Sequence, residues 1–511
     1  MLCKISSASY YGLQAVDIDV EVNVAEKGFP GFGIVGLASK AVEEARERVK
    51  TAIINSDFEF PMAKITINLA PADLPKEGAC YDLPMAVGIL AASGVVNLPQ
   101  KKAYFYGELS LDGSLRHTRG VFLLALLAKE QGVEDIFVPR LAANEACVVE
   151  GINVFPVDNL KNLIRHLNKS KQIIPLRKVE TEDLESVAEP EFDFEEIDGQ
   201  IQAKRALEIA VSGGHNILLI GPPGSGKTML SRAIPGIMPS LSEDESLEVT
   251  KIFSVTGNIP PGGSVVKRRP FRAPHHTTSM AGLIGGGSNP KPGEISLAHR
   301  GVLFLDEFPE FSRSSLEAMR QPLEDGTVAI ARASGRVTYP ARFILVAAAN
   351  PCPCGYLGDS KKECKCSVHQ IMNYQRKLSG PIMDRIDMHI NVPSVDVNKL
   401  FLDKKTNPGE KSAAIKKRVE QTRMIQRERF KGFEHLYDNA GMKNSHLKSC
   451  AKLTVDANRL LKQAVNKFGL SARTYFRLIK VSRTIADMAN MAEIGEAQVA
   501  EALQYRIRSD N

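Results

Sequence analysis

Residues 221–228 run Gly221, Pro222, Pro223, Gly224, Ser225, Gly226, Lys227, Thr228, a G-x-x-x-x-G-K-T spacing directly after the apolar run 216–220. A strand that passes through a glycine-rich turn into a helix gives this spacing its chemistry. The glycines let backbone N–H groups turn inward around phosphate oxygens, and the helix N-terminus adds unsatisfied donors and a favourable dipole. Lys227 is then placed to pair with β- and γ-phosphates, and the Thr228 hydroxyl to ligate Mg2+. A second apolar run, 301–305, ends in two carboxylates, Asp306 and Glu307. Behind such a loop, Asp306 is expected to hold the Mg2+ shell and Glu307 to polarise an attacking water. A third apolar run, 343–349, ends in Asn350. An amide at the C-terminal end of a strand can bond both a γ-phosphate and a water; the other reading is an Asn-Pro turn with Pro351. The expected ligands are ATP and Mg2+.

Directly after Asn350 stand Cys352, Cys354, Cys364 and Cys366, half of the chain's eight cysteines. Two C-x-C pairs can converge on one tetrahedral Zn2+ as four thiolates, with His369 near enough in sequence to replace a sulfur. A short loop with little apolar content cannot pack a core, so a metal would fold it. The alternative is four free or redox-active thiols, but exposed unpaired thiols are a liability, which favours metal. The amino-terminal residues carry no apolar signal segment, and the longest nearly apolar run, 83–96, is too short to span a bilayer. The expectation is a cytoplasmic protein with no membrane partner and reduced thiols.

These residues must be positioned by more than one domain, since the chain has 511 residues. Its hydrophobic share of 43% suffices for buried cores, and 65 Lys+Arg against 59 Asp+Glu is a mild basic excess, compatible with nucleic acid but no argument for it alone. Residues 1–170 mix strand-like alternation (64–69) with helical spacing (41–53), as an α+β domain would. Residues 171–195 turn polar and acidic, like a linker. Residues 196–395 alternate apolar strands with helices, the pattern of an α/β parallel sheet. Residues 396–511 are strand-poor and helical; within them the basic stretch 404–431 reads as an exposed helix.

Together with Gly380-Pro381-Ile382-Met383-Asp384-Arg385-Ile386-Asp387 and Ser471-Ala472-Arg473, these motifs resemble an AAA+ ATPase. The segment Phe271-Arg272-Ala273-Pro274-His275-His276-Thr277-Thr278 and the phrase Gly293-Glu294-Ile295-Ser296-Leu297-Ala298-His299 narrow the resemblance to the magnesium-chelatase-like branch of the ComM/YifB type, over essentially the whole chain. The resemblance implies that Asn350 is the first sensor, Arg385 an arginine finger and Arg473 the second sensor on a helical lid. The other reading of Arg385 is a salt bridge to Asp384 or Asp387. A finger acts across a subunit boundary, so the resemblance also implies a ring, a hexamer. A guanidinium on γ-phosphate oxygens is worth about 10³–10⁵ in rate in related NTPases.

Between the phosphate loop and Asp306, Lys267, Arg268, Arg269 and Arg272 lie between Pro260-Pro261-Gly262-Gly263 and Gly285-Gly286-Gly287, as loops projecting from the core. In the resembled branch this insertion faces the ring's channel. Residues 326–339 read as a β-hairpin with a basic tip carrying Arg332 and Arg336. Such residues can track a phosphate backbone without reading sequence; a solvated polar face is the other reading.

The amino-terminal region resembles the proteolytic domain of Lon, a ribosomal S5-like fold. Cys80 stands at the place of the serine and Phe122 where the partner lysine would be. Without an activated pair no proteolysis is expected. The function implied is an ATP-dependent ring motor, a helicase or branch-migration enzyme on forked or branched intermediates of recombination and natural transformation. The alternative is a magnesium-chelatase-type ATPase that remodels a protein partner without DNA.

Overall fold

The computed structural model describes residues 1–25, 29–36, 40–72, 74, 76, 78–176, 190–287, 290–332, 335–359, 361–377, 382–394, 409–433 and 436–506. Two compact units make up the chain: Met1–Ser186 with Glu243–Lys267, and Val187–Ser242 with Arg268–Asn511. Among the described residues no helix is long and apolar enough to cross a membrane.

The first unit is built on a seven-stranded mixed sheet. Its long hairpin, Leu2–Tyr11 with Gln14–Val24, pairs antiparallel from Leu2↔Asn23 to Tyr11↔Gln14. Lys64–Ala70 alternates buried Ile65, Ile67 and Leu69 with outward residues, the period of a half-buried strand, and pairs antiparallel with Gln14–Val24. On the other side of the hairpin, Ala103–Phe105, Asp135–Pro139 and Asn153–Val157 extend the sheet in parallel. Helix Asp82–Ala92 is buried at every position, which suits its nearly unbroken apolar sequence.

The segment Glu243–Lys267 belongs to this unit, not to the ATPase core in which the sequence pattern put it. Its helix Glu243–Thr256 buries Val249, Ile252 and Phe253, and Ser254 Oγ donates to the buried Glu145 Oε2 at 2.7 Å. The following glycine loop is held too: Gly262 N donates to Leu141 O at 2.7 Å and Asn144 Nδ2 to Gly262 O at 2.7 Å. Its backbone groups find partners there, so this part of the expected projecting insertion is pinned.

Both described ends of the expected linker are ordered. Leu176 N bonds Val154 O at 2.8 Å, and Phe194 is fully buried in the second unit, where its N–H donates to Ser412 Oγ at 2.9 Å. The acidic middle of that linker, 177–189, lies outside the described residues.

The second unit carries a five-stranded, all-parallel sheet in the order Phe271–Arg272, Val302–Leu305, Ile344–Ala349, Ile217–Ile220, Met388–Asn391. Its three central strands are apolar throughout, as strands covered on both faces must be. Ile220 pairs with Ala349 and Leu305 with Ala347, so these strands deliver their C-terminal ends to one edge of the sheet. That edge is where open α/β sheets bind ligands. Thr327–Arg332 and Gly335–Pro340 form a separate antiparallel hairpin, with buried Val328, Ile330, Val337 and Tyr339 at its base.

Among the described residues after 408 the regular elements are helices, Ser412–Arg429, Asn444–Cys450, Val455–Phe468, Ala472–Met488 and Glu496–Gln504. Ser412–Arg429 is not merely a solvated basic helix, for Ile415, Val419, Thr422 and Gln426 are buried along one face. The preceding residues 395–408 lie outside the described ones.

Candidate active site

The phosphate loop runs from the end of Ile217–Ile220 to the start of helix Lys227–Ala233. Gly224 and Gly226 adopt φ of 76° and 90°, a region costly to residues with a Cβ. Gly221 is required for space: a Cβ there would sit 2.1 Å from Val392 O. Lys227 Nζ is buried and donates to Gly221 O (2.8 Å), Pro222 O (2.9 Å), Ser225 Oγ (3.4 Å) and Asn350 Oδ1 (3.3 Å). Burial lowers its pKa, while the Asp306 charge opposes that shift. The ammonium is thus satisfied by groups of the loop and by Asn350, and phosphate oxygens would exchange for these acceptors.

Thr228 Oγ1 donates to Asp306 Oδ2 at 2.8 Å. A hydroxyl and a carboxylate meeting beside the phosphate loop are the oxygen donors that Mg2+ prefers, so the residues present fit that ion. Lys227, Thr228, Asp306 and Asn350, read separately from three strand ends, come together here.

Glu307 leaves Val302–Leu305 in a left-handed conformation, φ 49° and ψ 43°, which is uncommon for a residue with a side chain. Its N–H donates to Asp306 Oδ1 at 2.9 Å, and its carboxylate, 58% exposed, lies 3.1 Å from His276 Nδ1. His276 had no role in the motif reading, although it stands in the 271–278 segment. It follows Phe271–Arg272, which pairs with the strand that ends at Asp306, so strand adjacency brings the imidazole over. A cavity of about 500 Å³ opens beside Glu307, lined also by Glu310, Asn350, Pro353, Tyr374 and Lys377. Tyr374, on helix Val368–Lys377, touches the Asn350 backbone; burial first, then the Glu310 charge, push its phenol up to about 12.

Arg385 and Arg473 form a second cluster. Arg385 Nη2 lies 2.5 Å and Arg473 Nη2 3.8 Å from the same oxygen, Oε1 of Glu324. The ion pair that Arg385 makes is therefore with a residue 61 positions away, where the sequence had offered Asp384 or Asp387. Asp387 is occupied elsewhere: Arg477 Nη1 donates to it at 2.7 Å and Asn216 N at 3.0 Å, and His215 Nδ1 lies at 3.6 Å. Burial would raise the Asp387 pKa, but Arg477 and His215 outweigh it and hold the carboxyl far below its usual range. Asn216 also donates to Arg385 O (3.1 Å) and accepts from Leu345 N (2.8 Å), tying the arginine's backbone to the phosphate-loop strand. Glu324 and Asn216 had no such role in the sequence reading, and Asp387 only that of a possible partner for Arg385. Their roles arise from pairs 60 or more residues apart, which no local spacing encodes.

In the cysteine loop the Sγ–Sγ separations are 3.4 Å (Cys352–Cys354), 3.7 Å (Cys352–Cys364) and 3.6 Å (Cys354–Cys364), and all four sulfurs lie within 4.8 Å of one another. Zn–S bonds of about 2.3 Å in a tetrahedron put sulfurs about 3.8 Å apart, so the four thiols fit a zinc ion. His369 is not of this set; its ring meets Asn373 Nδ2 at 3.2 Å. The thiols differ: backbone hydrogen bonds from Tyr356 and Lys365 bring Cys354 down to about 6.

Among the basic residues, Arg269 donates to Pro239 O (2.8 Å) and Arg300 O (2.7 Å), and Arg272 makes a two-pronged pair with Glu294 at 2.6 and 2.8 Å. Both guanidiniums are spent on internal partners. Arg268 and Arg336 are exposed, Lys267 is half-buried, and the side chain of Arg332 lies outside the described ones. In the first unit Cys80 is buried beside Tyr81 and Tyr106, and burial pushes its thiol up to about 12. Phe122 is fully buried core.

A parallel sheet with its phosphate loop, carboxylate pair and polar strand end on one edge defines a P-loop ATPase domain of the AAA+ class. Three family descriptions match in succession: "Subunit ChlI of Mg-chelatase" over residues 20–142, "Magnesium chelatase, subunit ChlI" over 193–400, and "Magnesium chelatase, subunit ChlI C-terminal" over 409–506. Competence protein ComM of Haemophilus influenzae is 42% identical over 99% of this chain and 97% of its own length, and YifB of Escherichia coli 43% over 99% and 97%. The magnesium-chelatase subunit ChlI of Olisthodiscus luteus is 23% identical over 63% of this chain and 91% of its own. The chain belongs to the ComM/YifB family of magnesium-chelatase-like AAA+ proteins.

Proposed function

We propose that this protein is an ATP-driven ring motor that moves branched or forked DNA, acting in homologous recombination and the uptake of transforming DNA. The observation that carries this reading is full-length similarity to a competence protein joined to the meeting of Lys227 with Asn350 and of Thr228 with Asp306 at the phosphate loop. Gly221, Pro222, Pro223, Gly224, Ser225, Gly226 and Lys227 cradle the phosphates, and Lys227 pairs with the β/γ oxygens. Thr228 and Asp306 hold the Mg2+, which when bound neutralises phosphate charge. Glu307 orients and deprotonates the attacking water, once it is drawn from His276. Asn350 exchanges Lys227 for the γ-phosphate and reports its presence.

Arg385 and Arg473 are supplied to the next copy's nucleotide. Their shared partner Glu324, outside the Lys227–Asn350 cluster, favours this over action on their own phosphate loop. Turnover therefore needs a ring, most simply a hexamer. The hairpin Thr327–Arg332/Gly335–Pro340, with Arg336 and Arg332, and the exposed Arg268 with Lys267 meet the phosphate backbone; Arg269 and Arg272 brace those segments. Zinc on Cys352, Cys354, Cys364 and Cys366 folds the loop behind Asn350. The amino-terminal unit is a Lon-like scaffold without protease activity, because a buried, protonated Cys80 is no nucleophile. The protein works in the cytoplasm.

The magnesium-chelatase type of action, remodelling a protein without DNA, rests on the weaker 23% similarity to ChlI. One assay separates the two. ATP turnover and strand displacement are measured with and without four-way and forked DNA, for the natural chain and Glu307→Gln. Stimulation and displacement, both lost in Glu307→Gln, are expected; turnover indifferent to DNA with no displacement overturns the motor reading.

A further inference from the structure

Asn350 and the cysteine loop are one continuous piece of chain that touches the phosphate loop twice. At its start Asn350 Oδ1 accepts from Lys227 Nζ at 3.3 Å. Five residues later, Gly355 is buried against the Pro223 ring, and a Cβ on Gly355 would fall 2.5 Å from Pro223 Cδ. Gly355 holds φ 85° and closes a turn, its N–H donating to Cys352 O at 3.0 Å. Cys352 and Cys354 lie between the two contacts, inside that turn. Cys364 and Cys366 return to it, and Cys354 N donates to Cys366 Sγ at 3.4 Å. The four sulfurs thus fasten the very turn whose shape seats Gly355 on Pro223.

We propose that metal at these four cysteines and nucleotide at the phosphate loop bind with positive linkage: each raises the affinity of the chain for the other. This rests on the reading of the cysteines as a metal site and adds what that metal does. With the thiolates gathered on one ion, the turn has one shape, Pro223 is backed and Asn350 is held facing Lys227. With the ion gone, the turn must be ordered at the expense of nucleotide binding, because chain entropy has to be overcome for each residue fixed. Linkage is reciprocal, so the two affinities change by the same factor, about 5–150-fold for couplings of ordinary size.

The test uses the full chain carrying Glu307→Gln, so that ATP binds without being consumed, and a zinc chelator that leaves Mg2+ in solution. Three results are expected. Mg-ATP raises the chelator concentration needed for half-release of zinc by about fivefold or more. The stripped chain binds a fluorescent ATP analogue weaker by the same factor, restored by added zinc. Gly355→Ala, which leaves every thiol in place, keeps its zinc and loses both effects. Equal nucleotide affinity in zinc-loaded and stripped chains overturns the proposal while leaving the metal site standing. Absence of bound metal in protein purified without chelator overturns the metal reading itself. Should Gly355→Ala not fold, the two measurements on the chain with Gly355 intact still decide.

Discussion

Glu324→Gln asks whether the two arginines are reagents for a neighbouring copy. The Glu324 carboxylate lies 2.5 Å from Arg385 Nη2 and 3.8 Å from Arg473 Nη2. A hydrogen bond to an ionised group is worth about 1.5–3 kcal/mol net, and a neutral one about 0.5–1.5 kcal/mol. Gln keeps an acceptor oxygen and removes the charge, so the hold on Arg385 weakens by about 1–1.5 kcal/mol. The Arg473 contact adds little, being long and on a side chain 61% exposed. If the guanidiniums are delivered to the γ-phosphate of the next copy, Glu324 competes with that phosphate. Weakening the competitor favours delivery about 5–13-fold. The assay is ATP turnover per chain across protein concentrations that span ring assembly. The concentration for half-maximal turnover should fall by about that factor in Glu324→Gln. A midpoint that stays or rises, while Arg385→Ala abolishes turnover, refutes the competition, for Arg385 would then act without leaving Glu324.

Chains carrying Glu307→Gln and chains carrying Arg385→Ala should each be slowed about 10³-fold or more, and their mixture should regain turnover, because some interfaces then pair an intact Glu307 with an intact Arg385. A mixture as slow as its parts would put both groups on one copy. A pH effect is expected in the first unit, where Asp82 is fully buried and burial raises its pKa to about 6 in spite of Arg48 at 2.9 Å. The folded value lies above the unfolded one, so this stabilisation is complete below about pH 4 and lost as pH rises through 6, a change of about 3 kcal/mol. Hydrogen exchange of helix Asp82–Ala92, corrected for intrinsic rates, should accelerate between pH 4 and 7.5 in the natural chain. It should depend less on pH in Asp82→Asn; an equal dependence in both would sink the assignment.

The parts legible in the sequence are those whose chemistry is local. Residues 221–228 carry their turn, glycines and helix start in one run, and the apolar strands before Asp306 and Asn350 announce themselves by composition. The cysteines could be grouped because two C-x-C pairs need only a short return. What was not legible depends on pairs distant in sequence. Glu324 is one carboxylate among 59 acidic residues, and nothing around it marks the arginine it holds. Helix Glu243–Thr256 follows the phosphate-loop helix closely, so contiguity put it in the ATPase core; its buried Val249, Ile252 and Phe253 pack instead with the first unit. Arg269 and Arg272 looked like phosphate ligands because charge is visible in a sequence, whereas the backbone carbonyls that accept from Arg269 and the Glu294 carboxylate that pairs with Arg272 are brought to them only by the fold.

Sheet order explains why Asn350 and the cysteine loop are bound together. Ile344–Ala349 is inserted between the phosphate-loop strand Ile217–Ile220 and the strand Val302–Leu305 that ends at Asp306. Its exit emerges beside both: Asn350 there accepts from Lys227 and lines the cavity that Glu307 also lines. Any chain leaving that point has to cross the phosphate loop or the cavity beside Glu307. It does both: Gly355 rests on Pro223, while Pro353 and Tyr374 line the cavity with Glu307. A flexible segment at this place would let Asn350 follow Lys227 passively, and γ-phosphate would have nothing to push against. If the four thiols hold an ion as proposed, it would supply stiffness where the local sequence, Pro351 to Cys366, offers too few apolar side chains to build it by packing.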